Sequence, residues 1–319
     1  MKRWVAMCLL CAPALGWAQA YPTKPIRIMI GYVPGGAADF TARLLASRLQ
    51  SPQALGQPII VESRAGAGST LAIRLVAAAA PDGHTLLLIS EGGLVQSARG
   101  AKLPYDLERD LAPISFMAVG PQGLVVHPAV PAKTARELIT LAQKNPGKLS
   151  YGSSGNGSAQ HLAGELFNLT ANTKILHVPF KGGAQTAVAL AGGEIEMAFA
   201  TIPSVVPFVQ TRRVRLLAIT LPQRVSFLKD VPTLNEAGLS GYEYSAWYGV
   251  MAPAGTPPEI ITRLNEVIIK AINTAEMKDL LNKGGLEPHT NTPREFAAFV
   301  KSQLEKSRKL IKIAGITAE

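Results

Sequence analysis

The sequence predicts an α/β fold in two lobes, with glycine-rich turns facing each other across a cleft. Two observations carry this. Short apolar runs at 26–30, 58–61, 85–89, 124–126, 175–178 and 216–219 alternate with stretches of helical periodicity, the βαβ rhythm of a sheet covered by helices. Three passages then run from glycine-rich turn into helix: "GYVPGGAADFTARLL", "SRAGAGSTLAIRLV" and "YGSSGNGSAQHLAGELF". Such turns stand at the carboxyl ends of strands, where open α/β sheets hold their ligands.

In chain order, the first element is a leader. "MKRWVAMCLLCAPALGWAQA" has a basic start, an apolar run and a small-x-small site, which predicts a signal peptide over 1–20, cut after Ala20, and export of the remainder. Both cysteines, Cys8 and Cys11, fall inside it, so the exported chain is expected to have no disulfide and no thiolate metal site. No later apolar stretch approaches the ~20 residues needed to span a bilayer. The chain is expected to cross between lobes near Gly120-Pro121 and 240–247. Residues 21–121 and 244–319 would form a discontinuous first domain and 122–243 the second. Helix starts are marked by the capping-box pairs Thr134/Glu137, Thr233/Glu236, Thr256/Glu259 and Thr292/Glu295, with Pro257 and Pro293 in first turns. Phe296, Phe299, Val300 and Leu304 give the last helix one apolar face.

The net charge of +10 favours anionic partners through long-range steering. Nucleic acid is excluded as a class, because the basic residues are scattered and aromatics make up only 6% of the chain. Small anions remain. Gly66 and Gly68 do not complete a dinucleotide fingerprint, since Leu71 stands where the third glycine belongs, and no Gly-Lys-Ser/Thr ending marks a phosphate loop. No cofactor is expected. At Gly35-Gly36 and at 153–158 the residue types suit a carboxylate: helix-start amides carry partial positive charge, glycine lets an anion approach, and Ser153, Ser154, Ser158 and Asn156 add donors. The anion would meet converging donors without a fixed countercharge. No Gly-x-Ser-x-Gly elbow is present, and the five histidines are dispersed, so neither a nucleophile nor a metal site is expected and the chain does not read as an enzyme. His161 and Glu165 are spaced as a helix-surface pair or as a pocket pair.

Over 21–316 the chain resembles the exported solute-binding receptors of tripartite tricarboxylate transporters, also called Bug receptors. The resemblance runs through "YPTKPIRIMIGYVPGGAADFTARLLASRLQ", "GQPIIVESRAGAGSTLA", "AAPDGHTLLL", "LPYDLERDLAPIS", "YGSSGNGSAQHLAGELF", "HVPFKGG", "VPTLNEAG" and "WYGVMAPAGTPPEII". It implies a periplasmic-binding-protein-like fold with a hinged cleft. It also implies a periplasmic, monomeric receptor without cofactor that delivers a small organic carboxylate to membrane permease subunits. An exported sensory adaptor for a membrane signalling protein is the alternative. The implied contacts are Tyr32, Val33, Gly35, Gly36, Ala38 and Asp39 from the first lobe, and Ser154, Gly155, Asn156, Ser158 and His161 from the second. Ser90, Lys181, Gly182, Ala200 and Thr201 are expected beside them. Three residues have competing readings: Asp39 as complement to its own helix, Lys181 as a solvated charge, and Trp247 as hinge packing. Many relatives have aspartate where Ala200 stands, which points to a carboxylate without an α-amino group, unless Glu91 turns into the cleft and supplies the missing charge.

Overall fold

The computed structural model describes residues 21–100, 102–313 and 315–316; the predicted leader and both cysteines lie outside them. The first lobe opens with β1 (Ile26–Ile30), α1 (Ala37–Leu49), β2 (Ile59–Ser63), α2 (Thr70–Ala77), β3 (Thr85–Ser90) and α3 (Glu91–Ala98). Strand β4 (Leu111–Val126) leads into the second lobe, made of α4 (Ala135–Lys144), β5 (Ser150–Ser153), α5 (Ala159–Ala171), β6 (Leu176–Pro179), α6 (Gly183–Gly192), β7 (Met197–Thr201), α7 (Ile202–Gln210) and β8 (Arg215–Ile219). The chain then returns through β9 (Ser245–Pro253), α8 (Pro258–Ile272), α9 (Ala275–Lys283), β10 (Glu287–Pro288) and α10 (Pro293–Ile313).

Apolar runs become strands because both faces of each sheet are covered. Ile26, Ile28 and Ile30 pack with Leu45, Leu49, Leu264 and Ile268 on one side, while Met29 joins Ile73, Val76, Leu87 and Ile89 on the other. Two-sided burial is why these parallel strands read as continuous apolar segments. The second lobe repeats the plan: Leu124, Val126, Met197 and Phe199 face one core, and Val125, Ala198 and Ala200 the opposite one. Strands β1, β2 and β3 are mutually parallel, as are β5, β6 and β7, so the helices that follow them start at the same edge of each sheet.

Strand β4 belongs to both sheets. Up to Pro121 it is antiparallel to β9, with Pro121 opposite Ser245; from Gln122 it pairs with β7, and from Gly123 also with β8. A proline lacks the donor that a central strand needs. Here it stands where the partners change.

Capping follows the sequence in part. Thr134 accepts from Glu137 N, and Thr292 and Glu295 close a reciprocal box at α10. The Thr233/Glu236 box also closes but heads only turns. Thr256 does not cap α8: its hydroxyl donates to Pro253 O, and the helix starts at Pro258 behind Pro257. Two prolines without N–H groups leave fewer donors for a cap to satisfy.

Helix α5 is pressed onto β5 through Gly164, where a Cβ would lie 2.1 Å from the ring of Tyr151, itself 1% exposed. Gly164→Ala therefore overpacks a rigid contact. Its cost, about 1–3 kcal/mol, exceeds the gain of at most about 1 kcal/mol in helix propensity. The expected result is a melting temperature lower by several degrees; an unchanged or raised one would show that Tyr151 can move aside.

Candidate functional site

The turns after β1 and β5 face each other and enclose, with the starts of α3 and α6, a cavity of about 720 Å³. Of the sequence-predicted residues, Tyr32, Val33, Gly36, Ala38 and Ser90 line it from the first lobe, and Ser154, Asn156, Ser158 and Thr201 from the second.

At the second-lobe turn, Ser158 has extended backbone angles and caps α5, accepting from His161 N at 3.3 Å. As an acceptor in the cap it keeps its own O–H to donate. The amides of Ala159 and Gln160 head α5, where no carbonyl precedes them in the helix, and both residues line the cavity. Gly155 stands off the cavity, at φ +125°, and gives its N–H to Ser153 Oγ.

His161 also stands behind this turn rather than in the cavity. Its Nδ1 accepts from Gly157 N at 3.0 Å, and its ring stacks on His177 with centroids 3.7 Å apart. Burial pushes both imidazoles down to about 4, with His177 and Arg99 adding to the effect on His161. A neutral His161 makes no ion pair with Glu165, whose carboxylate accepts from Tyr151 Oη at 2.7 Å. The role the geometry gives it is to shape the turn.

Asp39 lies outside the cavity too. It accepts from Gly35 N at 3.1 Å and Arg43 Nε at 2.9 Å, and the Arg43 hydrogen bond holds its carboxyl below the usual range. Of its two readings, the geometry matches complementing its own helix; Gly35 is thereby committed to Asp39. Lys181 is exposed, with its amide on Gln185 Oε1. Gly182 caps α6, and the following Gly183 is the one that reaches the cavity. Ala200 lines a neighbouring depression of about 300 Å³, which shares Gln160, Gly183 and Thr201 with the main cavity.

Trp247 is buried against Phe116, Phe296 and Phe299, while its neighbours Ala246 and Tyr248 line the cavity. Alternation along β9 accounts for this.

Sequence reasoning missed Arg99. It is the one basic side chain lining the cavity among the described residues, and its guanidinium carbon is 3.2 Å from where a Cβ on Gly157 would sit. Its Nη1 donates to Gln96 Oε1 at 3.3 Å. A fixed countercharge is thus present at the second-lobe turn, contrary to the sequence expectation. No signal marked it, since an arginine at the end of a helix reads as complement to the helix dipole. The one acidic lining residue is Glu91, at the first position of α3; Tyr244 Oη donates to it, and burial pushes its carboxyl up to about 7. No group of three His, Cys, Asp or Glu side chains is placed to hold a metal among the described residues. No helix among them is long and apolar enough to cross a membrane.

Comparison with known proteins agrees with this architecture. R. palustris Rpa4515, solved with adipate, superimposes with a TM-score of 0.80 at 32% identity, covering 93% of this chain and 99% of that one. The periplasmic binding protein BugD gives 0.77 at 28% identity, covering 94% and 100%. MatC from Rhodopseudomonas palustris, with bound malate, gives 0.76 at 29% identity, covering 91% and 100%. Residues 41–316 match the model of the tripartite tricarboxylate transporter family receptor, and the chain belongs to that family.

Proposed function

We propose that this protein is a periplasmic receptor that captures a small organic carboxylate between its lobes and hands it to the membrane permease subunits of a tripartite tricarboxylate transporter. It acts as a monomer, by binding alone, without catalysis or cofactor. The observation that carries the reading is a cavity walled by both lobes whose one basic lining residue among the described residues, Arg99, faces the amino-terminal turn of α5. Helix-start amides, the Ser158 hydroxyl and a guanidinium together suit a carboxylate. The adipate and malate held by two structural relatives are of the same class. In this reading 21–121 with 244–319 is one moving body and 122–243 the other, with Tyr32, Gly36, Ser90, Ser154, Asn156, Ser158 and Thr201 at the ligand.

A thermal-shift series with mono-, di- and tricarboxylates tests it, because a ligand that binds only the folded state raises the melting temperature. Arg99→Gln should weaken binding of the best acid about tenfold or more, the value of a charge-assisted hydrogen bond, and flatten its salt dependence. A protein whose melting temperature no carboxylate raises would overturn the reading.

A further inference from the structure

The two charged residues that line the cavity among the described residues stand at opposite ends of α3. Arg99 follows Glu91 by eight positions, a rise of ~12 Å along a helix. Arg99 lies at the second-lobe turn, against Gly157 and near enough to influence His161. Glu91 lies at the other end, 6% exposed, with the Tyr244 hydroxyl as donor to its Oε1. The charges of the cavity are therefore separated, the cation beside the second-lobe turn and the buried carboxyl beside Tyr32 and Ser90.

We propose that Glu91 is the specificity-determining residue of this cavity, accepting a hydrogen bond from a hydroxyl or ammonium at the far end of a ligand whose carboxylate is held by Arg99 and the 154–158 turn. This rests on the carboxylate-receptor reading above. The preferred ligand is then a hydroxy or amino carboxylic acid rather than an unsubstituted dicarboxylate. The Ala200 expectation of an amine-free ligand is reversed, because Ala200 sits in a side depression while Glu91 lines the main cavity.

Tyr244 takes Oε1 of Glu91, which leaves Oε2 to accept from a ligand. The titratable groups around it are phenols: Tyr244 before β9, Tyr248 on β9, and Tyr32 in the turn after β1, which shares a hydrogen bond with Ser90. Helix α10 contributes Phe296, Val300 and Leu304, and α5 contributes Leu162, to the apolar cluster that holds the buried face of α3. Arg99, the cation of the cavity, is at the far end of the helix. A ligand ammonium would bring the countercharge that these neighbours do not supply, and a hydroxyl would bring a donor without the charge.

Titration calorimetry of the mature protein with adipate, ω-hydroxyhexanoate and ω-aminohexanoate, and with their four-carbon counterparts, tests this above and below the raised value of about 7. Above it the Glu91 carboxylate is ionised, and the hydroxy and amino acids should bind at least about tenfold tighter than the dicarboxylate. Below it the protonated carboxyl can donate to a second carboxylate, so the dicarboxylate should gain on the amino acid. Glu91→Gln should abolish the preference for the amino acid and its pH dependence, while Ser158→Ala should weaken all six acids alike. A dicarboxylate that binds tightest above this value, or a ratio unmoved by pH and by Glu91→Gln, overturns the proposal and leaves the receptor reading standing. Failure of every acid to bind overturns both.

Discussion

Gly36→Val should lower affinity for the carboxylate at least about a hundredfold, about 2.7 kcal/mol, in a protein that still folds. Gly36 has φ −84° and ψ 175°, an extended conformation open to any residue and comfortable for a β-branched one. A Cβ there would find only the carbonyl oxygen of Val33, at 3.9 Å. The added methyls would occupy ligand volume next to the donors of the facing turn. As N-cap of α1, Gly36 contributes no side-chain hydrogen bond, so the cost to the helix is roughly 1 kcal/mol or less. Calorimetry checks the affinity and a thermal melt checks the fold; unchanged affinity would put the ligand elsewhere.

Trp247→Ala should have the opposite signature. The side chain is 1% exposed, with ring centroids of Phe116, Phe296 and Phe299 at 6.0, 6.0 and 5.2 Å. Truncating so large a buried side chain costs about 3–5 kcal/mol. Chemical denaturation should show that loss, with ligand affinity of the folded fraction nearly unchanged because the indole faces away from the cavity. Trp247→Phe should be milder, since the indole Nε1 meets no acceptor among the described residues. A large loss of affinity in Trp247→Phe would make Trp247 part of the binding wall after all.

The sequence disclosed the fold where local pattern and tertiary burial agree. Ile26, Ile28 and Ile30 form a run because both sides of β1 are covered, and the covering shows in the residues themselves. Strand β4 was legible only at 124–126, since Pro113, Gly120 and Pro121 interrupt a run that is completed by pairing with β9, at 245–253 far down the chain. The facing turns were legible for a similar reason: glycines, serines and an asparagine ahead of a helix have few structural uses. Arg99, His161 and Asp39 show where such reading stops. Asp39 and His161 turn to partners four residues away, Gly35, Arg43 and Gly157, which residue type alone does not distinguish from a ligand, and Arg99 reaches its neighbour only because the lobes meet. Gly157 beside Arg99 is a contact between residues 58 positions apart.

The position of β9 also governs the order in which the molecule can be made. It lies between β3 and β4, so the first sheet has a gap in its middle until residues 245–253 have been synthesised. Loop closure over such separations is slow, and a partial sheet exposes apolar surface and unpaired strand edges. The amino-terminal lobe cannot finish folding on the ribosome ahead of the rest. The first sheet can close only after about four-fifths of the chain has been made.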